Sequence, residues 1–276
     1  MPVVEWAYWD YTLNVLGGCL PIGPGSGCKN CYAAQIAGTK TWPFAGYAGI
    51  HDGVTVVRDK RRVFNGKATV APEGHPLWTK RLRLPPAKNP KLGSGKPSLV
   101  FVQDMGELFY ERHADAHIDL VCETIALSDH IGLLLTKRTP RMATYFSNKS
   151  PLTVRQWQKK LWLGCSAEDE ECFDLRWPDM RALADAGWFV WVSIAPMLEP
   201  VTLPPDFLAL EKGTWVIVGG EQAPKARCRR IDPEWARAIL AQCKAAGIPF
   251  FMRGMHTGAL YAAATTNSAI PVGGVA

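Results

Sequence analysis

The chain has 276 residues, 47% of them hydrophobic, a formal charge of +6 and eight cysteines. That apolar content can bury a large core in one big domain or two small ones. No apolar run reaches the roughly 18 residues of a membrane span. The start, M-P-V-V-E-W-A-Y-W-D, has neither the basic n-region nor the apolar h-region of an export signal. No membrane span and no membrane partner are expected, a cytoplasmic location is expected, and the cysteines are expected to be reduced, as metal ligands or buried thiols.

Taken in order, residues 11–16 (Y-T-L-N-V-L) predict a short strand feeding the stretch Cys19–Tyr32, C-L-P-I-G-P-G-S-G-C-K-N-C-Y. Glycine and proline make regular structure impossible over its middle, so it reads as a loop that folds back to bring Cys19, Cys28 and Cys31 together. A helix starts within 32–37. Residues 38–97 form an irregular insertion rich in Gly, Pro, Trp and charge, in which Val54–Val57 and Arg61–Phe64 can pair as a hairpin.

From residue 98 the pattern is regular. Strands are predicted at Ser98–Gln103, Ile131–Thr136, Leu161–Cys165, Phe189–Ile194, Thr214–Val218 and Ile248–Met252. Helices are predicted at 115–128, 151–159, Asp174–Ala186 and Pro233–Ala246, the last with Pro at its start and Gly247 after its end. Residues 259–276 read as a loose tail. Continuous apolar strands alternating with helices mean an α/β protein with a parallel sheet covered by helices. Two architectures fit, a partial (β/α) barrel of TIM-like type interrupted by the insertion, or a doubly wound open sheet. Both place function at the C-terminal strand ends. The strand ends here carry the cysteine loop, Asp104 and Glu107, Lys137 and Arg138, Ser166 and Glu168, Ser193 and Glu199, Glu221, and Arg253, which read together as one active-site rim.

Three thiolates at one place suit a soft metal or an iron–sulfur cluster and leave one coordination position open for chemistry. A fourth ligand from Cys165, Cys172, Cys228 or a histidine would make the same stretch a structural zinc site. A C-x-x-C redox pair or a disulfide is the blander alternative. Cys165, at a strand end, is the candidate fourth ligand or relay. Basic clusters at Arg58–Arg62, Lys80–Arg83 and Arg227–Arg230 favour a polyanionic partner and equally describe a solvated basic face.

The three-cysteine loop after a first barrel strand resembles that of the radical S-adenosylmethionine (SAM) enzymes. The spacing C-x8-C-x2-C matches the common superfamily spacing only in its second interval, and Asn30 replaces the aromatic before the last cysteine. The chain more closely resembles a largely phage-encoded family whose three-cysteine motif ends G-C-x-x-C-Y-A, itself a radical SAM relative. The blocks that carry the likeness are Gly27–Ala33, Phe101–Phe109, Leu133–Met142, Trp162–Asp169, Val192–Val201 and Trp215–Glu221. Ala195 stands where that likeness leads one to expect an acid, and Phe250–Met255 lacks an expected Lys and Gln.

The resemblance implies a single (β/α) partial-barrel domain over residues 1–258. It also implies a [4Fe-4S] cluster on Cys19, Cys28 and Cys31, SAM as cofactor, and an external electron donor. It places Glu107, then Asp104, at the SAM amino group, Lys137 and Arg138 at a carboxylate or substrate phosphate, and Ser166 and Ser193 at the ribose. Tyr32 is placed against cluster or adenine. Lys137, Glu199 and Glu221 are the candidate catalytic side chains. The basic balance and the aromatic, basic insertion point to nucleic acid or a nucleotide as substrate; a phage setting adds a modified base, such as an amino-acid-bearing thymine in DNA. Two rival classes stand beside this reading. One is a zinc- or cluster-containing nucleic-acid-binding protein without radical chemistry. The other is a lyase or hydrolase with a second metal on Asp104, Glu107, Glu199 and Glu221.

Overall fold

The computed structural model describes residues 8–22, 27–37, 50–78, 97–222 and 228–253. Gly23–Ser26 of the cysteine loop, half of the insertion (38–49 and 79–96, with the Lys80–Arg83 cluster) and the tail at 259–276 lie outside the described residues.

The first expected strand is split. β1 (Tyr11–Leu13) joins the main sheet, and β2 (Leu16–Gly17) leaves it to pair with β5 (Thr69–Val70). The cause is the Gln103 side chain, which replaces a neighbouring strand at the break. Its Oε1 accepts from the Val15 and Leu16 amides at 2.8 and 3.1 Å, and its Nε2 donates to the Leu16 carbonyl at 2.5 Å. The helix after the cysteines is α1 (Tyr32–Ile36). The expected hairpin forms as β3 (Thr55–Arg58) and β4 (Arg61–Phe64). Asp59 and Lys60 at its two-residue turn have φ of 48° and 60°, the left-handed pair that matches strand twist.

The regular half follows the expected order: β6 (Leu99–Val102), α2 (Asp115–Ala126), β7 (Ile131–Thr136), α3 (Thr139–Ser147), α4 (Pro151–Trp157), β8 (Leu161–Ser166), α5 (Glu170–Asp185), β9 (Val190–Ile194), α6 (Pro205–Leu208), β10 (Thr214–Gly219), α7 (Pro233–Ala246) and β11 (Phe250–Arg253). Helix α3 is an addition to the sequence reading. Its Thr-Pro start and short span hide it, and it holds through the buried Met142, Tyr145 and Phe146 at helical spacing. Helix α5 starts four residues early because Asp169 caps it, accepting from the Cys172 amide at 2.8 Å.

Among the described residues seven strands form one parallel sheet in the order β1-β6-β7-β8-β9-β10-β11. A doubly wound sheet reverses direction at a switch point; this one runs on in chain order and curls into a half-barrel. Alternation along the strands builds two cores. The outward side chains, such as Val102, Leu134, Leu163, Val192 and Val218, pack beneath the helices. The inward ones, among them Phe101, Trp162, Trp191, Trp215 and Phe251, fill the concave side together with Tyr8. Gly164 makes this layer possible, because a Cβ there would overlap the Trp191 indole. The aromatic layer is a solid floor. Directly above it, Ser166 and Ser193 face each other across β8 and β9.

Candidate functional site

A cavity of about 170 Å³ lies on that floor at the C-terminal strand ends. Nearly every side chain expected at the rim lines it: Cys19, Cys28, Cys31, Tyr32, Asp104, Glu107, Lys137, Arg138, Ser166, Ser193 and Glu221. Glu199 does not. After β9 the Met197 amide bonds to the Gly219 carbonyl at 2.9 Å and the Leu198 amide to that of Glu168 at 2.8 Å. The chain is thereby carried away from the mouth and leaves Glu199 in solvent.

The cysteine loop is anchored at both ends. Gly18, just before Cys19, has φ of 97°, and a Cβ there would strike the Lys67 carbonyl, so only glycine fits. Cys28 sits in a short 3-10 turn, Gly27–Asn30, that runs directly into α1. Asn30, between the paired cysteines, is buried and donates to Glu221 Oε2 at 2.9 Å. Glu221 also accepts from the Arg229 amide at 2.8 Å and forms an ion pair with its guanidinium. Burial raises the Glu221 pKa, but the bonds from Arg229 and Asn30 outweigh that and hold it below the usual carboxylate range. Glu221 therefore positions the C-x-x-C turn.

Arg138 clamps the other end. It donates to the Leu20 carbonyl at 2.7 Å and to Glu111 at 2.9 Å, lies 3.5 Å from Glu107, and places Nη1 3.9 Å from Cys19 Sγ. Arg138 is buried rather than solvated. Glu107 is fully engaged. It accepts from the Thr136 hydroxyl at 2.8 Å and the Phe109 amide at 3.0 Å, besides its pairing with Arg138. Burial raises its pKa, against the pull of Arg138. Asp104 makes one side-chain bond, from Asn14, and keeps acceptor capacity toward the cavity. Burial raises its pKa too, with Asn14 and Arg253 pulling the other way. Of the two acids expected at an amino group, Asp104 is the one with room for a ligand. Tyr32 donates to the Asp104 backbone carbonyl at 3.0 Å.

Lys137 reaches into the cavity and forms an ion pair with Glu168, which is 0% exposed and also bonds Arg176 at 2.7 Å. Burial lowers the Lys137 pKa, and Cys28 nearby acts in the opposite direction. Gly27 packs on the same carboxylate: a Cβ there would come within 3.1 Å of Glu168 Oε1 and 2.8 Å of Pro196.

Cys165 points away from the cavity into the helix-covered core, where burial pushes its thiol up to about 12. It is placed as a packing residue. Cys172 lies on α5, and the Cys228 thiol donates to the Glu221 carbonyl at 3.1 Å. The carboxylates Asp104, Glu107, Glu199 and Glu221 do not gather around a second metal position. Among the described residues no three His, Cys, Asp or Glu side chains converge closely enough to hold a lone metal ion. Cys19 and Cys31 feel each other and Cys28, and burial pushes both thiols up. Compact cationic iron–sulfur chemistry would relieve that cost by taking the thiolates as ligands.

The residues that sequence reasoning passed over are Asn30, Gln103 and Arg176, which act as supports; Glu168, expected at the rim, is a buried support as well. Only Asn30 carried a signal, as a polar residue inside the cysteine pair.

No helix among the described residues is long and apolar enough to cross a membrane. No curated protein and no solved structure matches the chain. One family does, described as a protein of unknown function (DUF5131), over residues 3–267. That span is nearly the whole sequence and takes in the cysteine loop and every strand of the half-barrel, and the chain belongs to this family.

Proposed function

We propose that this protein is a radical SAM-type enzyme that tailors a modified nucleobase or nucleotide. The observation that carries the reading is the joint placement of Cys19, Cys28 and Cys31 with Asp104, Ser166 and Ser193 around one cavity at the mouth of a parallel half-barrel. The three cysteines would hold a [4Fe-4S] cluster. Each cysteine sulfur would bind a different iron of such a cluster, so the three need not meet at one point as zinc ligands must. When bound, cluster and SAM would, with one electron from an external donor, supply a 5′-deoxyadenosyl radical for abstracting a hydrogen atom from an unreactive C–H bond, with methionine as the other product.

The chain's own residues do the rest. Asp104 offers an acceptor to an ammonium group. The hydroxyls of Ser166 and Ser193, which have no hydrogen-bond partner among the described residues, face the cavity and can bond a sugar. Lys137, held by Glu168, presents a cation or a proton beside the cysteines. The aromatic floor keeps water and stray hydrogen donors from entering from below. The nucleic-acid side of the reading rests on the net charge of +6 and on the exposed Arg58 and Lys60 at the hairpin tip. Trp78 is not a stacking platform: it is buried and bonds the Ala71 carbonyl at 3.2 Å.

Anaerobic reconstitution of the wild type and of the triple variant C19A/C28A/C31A tests the proposal. About four irons per chain, a brown colour lost in the variant, and 5′-deoxyadenosine formed from SAM with dithionite as the electron donor are expected. A colourless wild type with stoichiometric zinc would leave the rival reading, a zinc-containing nucleic-acid-binding protein.

A further inference from the structure

Charge pairing around the cavity leaves one cation over. Among the described residues three cationic side chains line it, Lys137, Arg138 and Arg253. Lys137 is paired with Glu168, and Arg138 with Glu107 and Glu111. Among the described residues Arg253 has no carboxylate within 4.0 Å. Its Nη2 donates to Gln222 Oε1 at 2.9 Å, and its Nε is buried without a hydrogen-bond partner. A buried guanidinium nitrogen left unsatisfied is costly unless something else occupies the position.

The fold holds this side chain in place. Arg253 ends β11 on the inward side, in register with Gly219. Its stem runs over that glycine, where a Cβ would come within 3.0 Å of the Arg253 Cβ and 3.6 Å of its Cδ. The bareness of Gly219 makes room for this stem. The guanidinium then lies 5.4 Å from the centre of the Trp9 ring and 5.9 Å from that of Tyr32. Aromatic faces on a guanidinium fix its plane while leaving its edge free, and that edge is the fork that matches a carboxylate or phosphate.

We propose that Arg253 is the anion anchor of the cavity, taking a carboxylate or phosphate group of the substrate by its guanidinium edge beside Trp9 and Tyr32. This rests on the cavity being a ligand site, as proposed above, and adds the charge of its ligand. Asp104, which has no ion pair among the described residues, lies close enough to act on Arg253 electrostatically, so a ligand carrying both an anion and a donor fits best.

The test is calorimetric binding of dTMP, thymidine and succinate to the full-length reconstituted wild type, R253Q and R253K. Wild type is expected to bind at least one anion and to prefer dTMP over thymidine if the anion is a phosphate. R253Q should weaken the anion at least tenfold and leave thymidine unchanged. R253K keeps the charge but loses the fork, and should weaken it several-fold; it carries the test if R253Q does not fold. Dependence on Arg253 with dTMP alone marks a phosphate ligand, and with succinate alone a carboxylate. Anion binding unchanged in both variants, or none in the wild type, overturns the proposal. Iron content and SAM cleavage on the same preparations separate the two claims. A brown, SAM-cleaving protein whose anion binding ignores Arg253 sinks the anchor alone. A colourless protein whose anion binding needs Arg253 sinks the radical reading alone.

Discussion

Removal of the Glu168 carboxylate should be among the most damaging single changes in this protein. Glu168 is 0% exposed and lies between Lys137, 19% exposed at its side chain, and Arg176, 4% exposed. In E168A the Arg176 guanidinium keeps its bond to the Ser166 carbonyl at 2.5 Å but loses its charge partner in the core. Breaking a buried pair from one side costs about 3–5 kcal/mol, against a total stability of about 5–15 kcal/mol for a domain. The two cations are not equivalent. Lys137 opens on the cavity and can hydrate or lose its proton, whereas Arg176 can do neither. Adding R176M to E168A should therefore recover about 1–3 kcal/mol, and adding K137M under about 1 kcal/mol. Urea unfolding followed by circular dichroism measures this through the midpoint at constant slope. An E168A protein within about 1 kcal/mol of wild type, or equal rescue by the two second changes, would refute the argument.

Three further outcomes are expected. Q103A leaves the Val15 and Leu16 amides without the acceptor they share; a loss of about 2–4 kcal/mol and lower iron loading should appear in unfolding and reconstitution assays. G164A pushes a methyl into the Trp191 indole, so about 1–3 kcal/mol should be lost with a shift in tryptophan emission and no change in metal content. His113 is 3% exposed, and burial, followed by the charges of His117 and Arg141, pushes its pKa down to about 4. It is neutral when folded and takes up a proton near pH 6.5 when unfolded. Its contribution is thus full above that value and is lost as pH falls from about 6.5 through about 4, on the order of 3 kcal/mol in all. H113N should flatten the unfolding midpoint across that window; an unchanged slope would show that His113 is not the group involved.

Much of this protein is written in local pattern. Apolar strands alternating with helices announce the parallel sheet because a strand buried on both faces has no polar side to show, and strand ends carry the rim because that is where buried runs must stop. The cysteine loop is equally legible, since Gly and Pro between Cys19 and Cys28 allow nothing regular. What local pattern does not contain is pairing. Whether the sheet runs on or reverses depends on which strands meet, and only the order from β1 to β11 separates half-barrel from open sheet. The roles of the rim acids depend on partners far along the chain. Glu107 is taken by Thr136 and Arg138, and Glu221 by Asn30 and Arg229, so Asp104 is left for a ligand. Glu199 and Cys165 look like rim residues in sequence and are not. One is carried outward by the backbone bonds of Met197 and Leu198, and the other faces the helix side of its strand. Residue type and spacing decide what chemistry is available; side-chain direction and long-range partners, which only the folded chain sets, decide which residues are free to perform it.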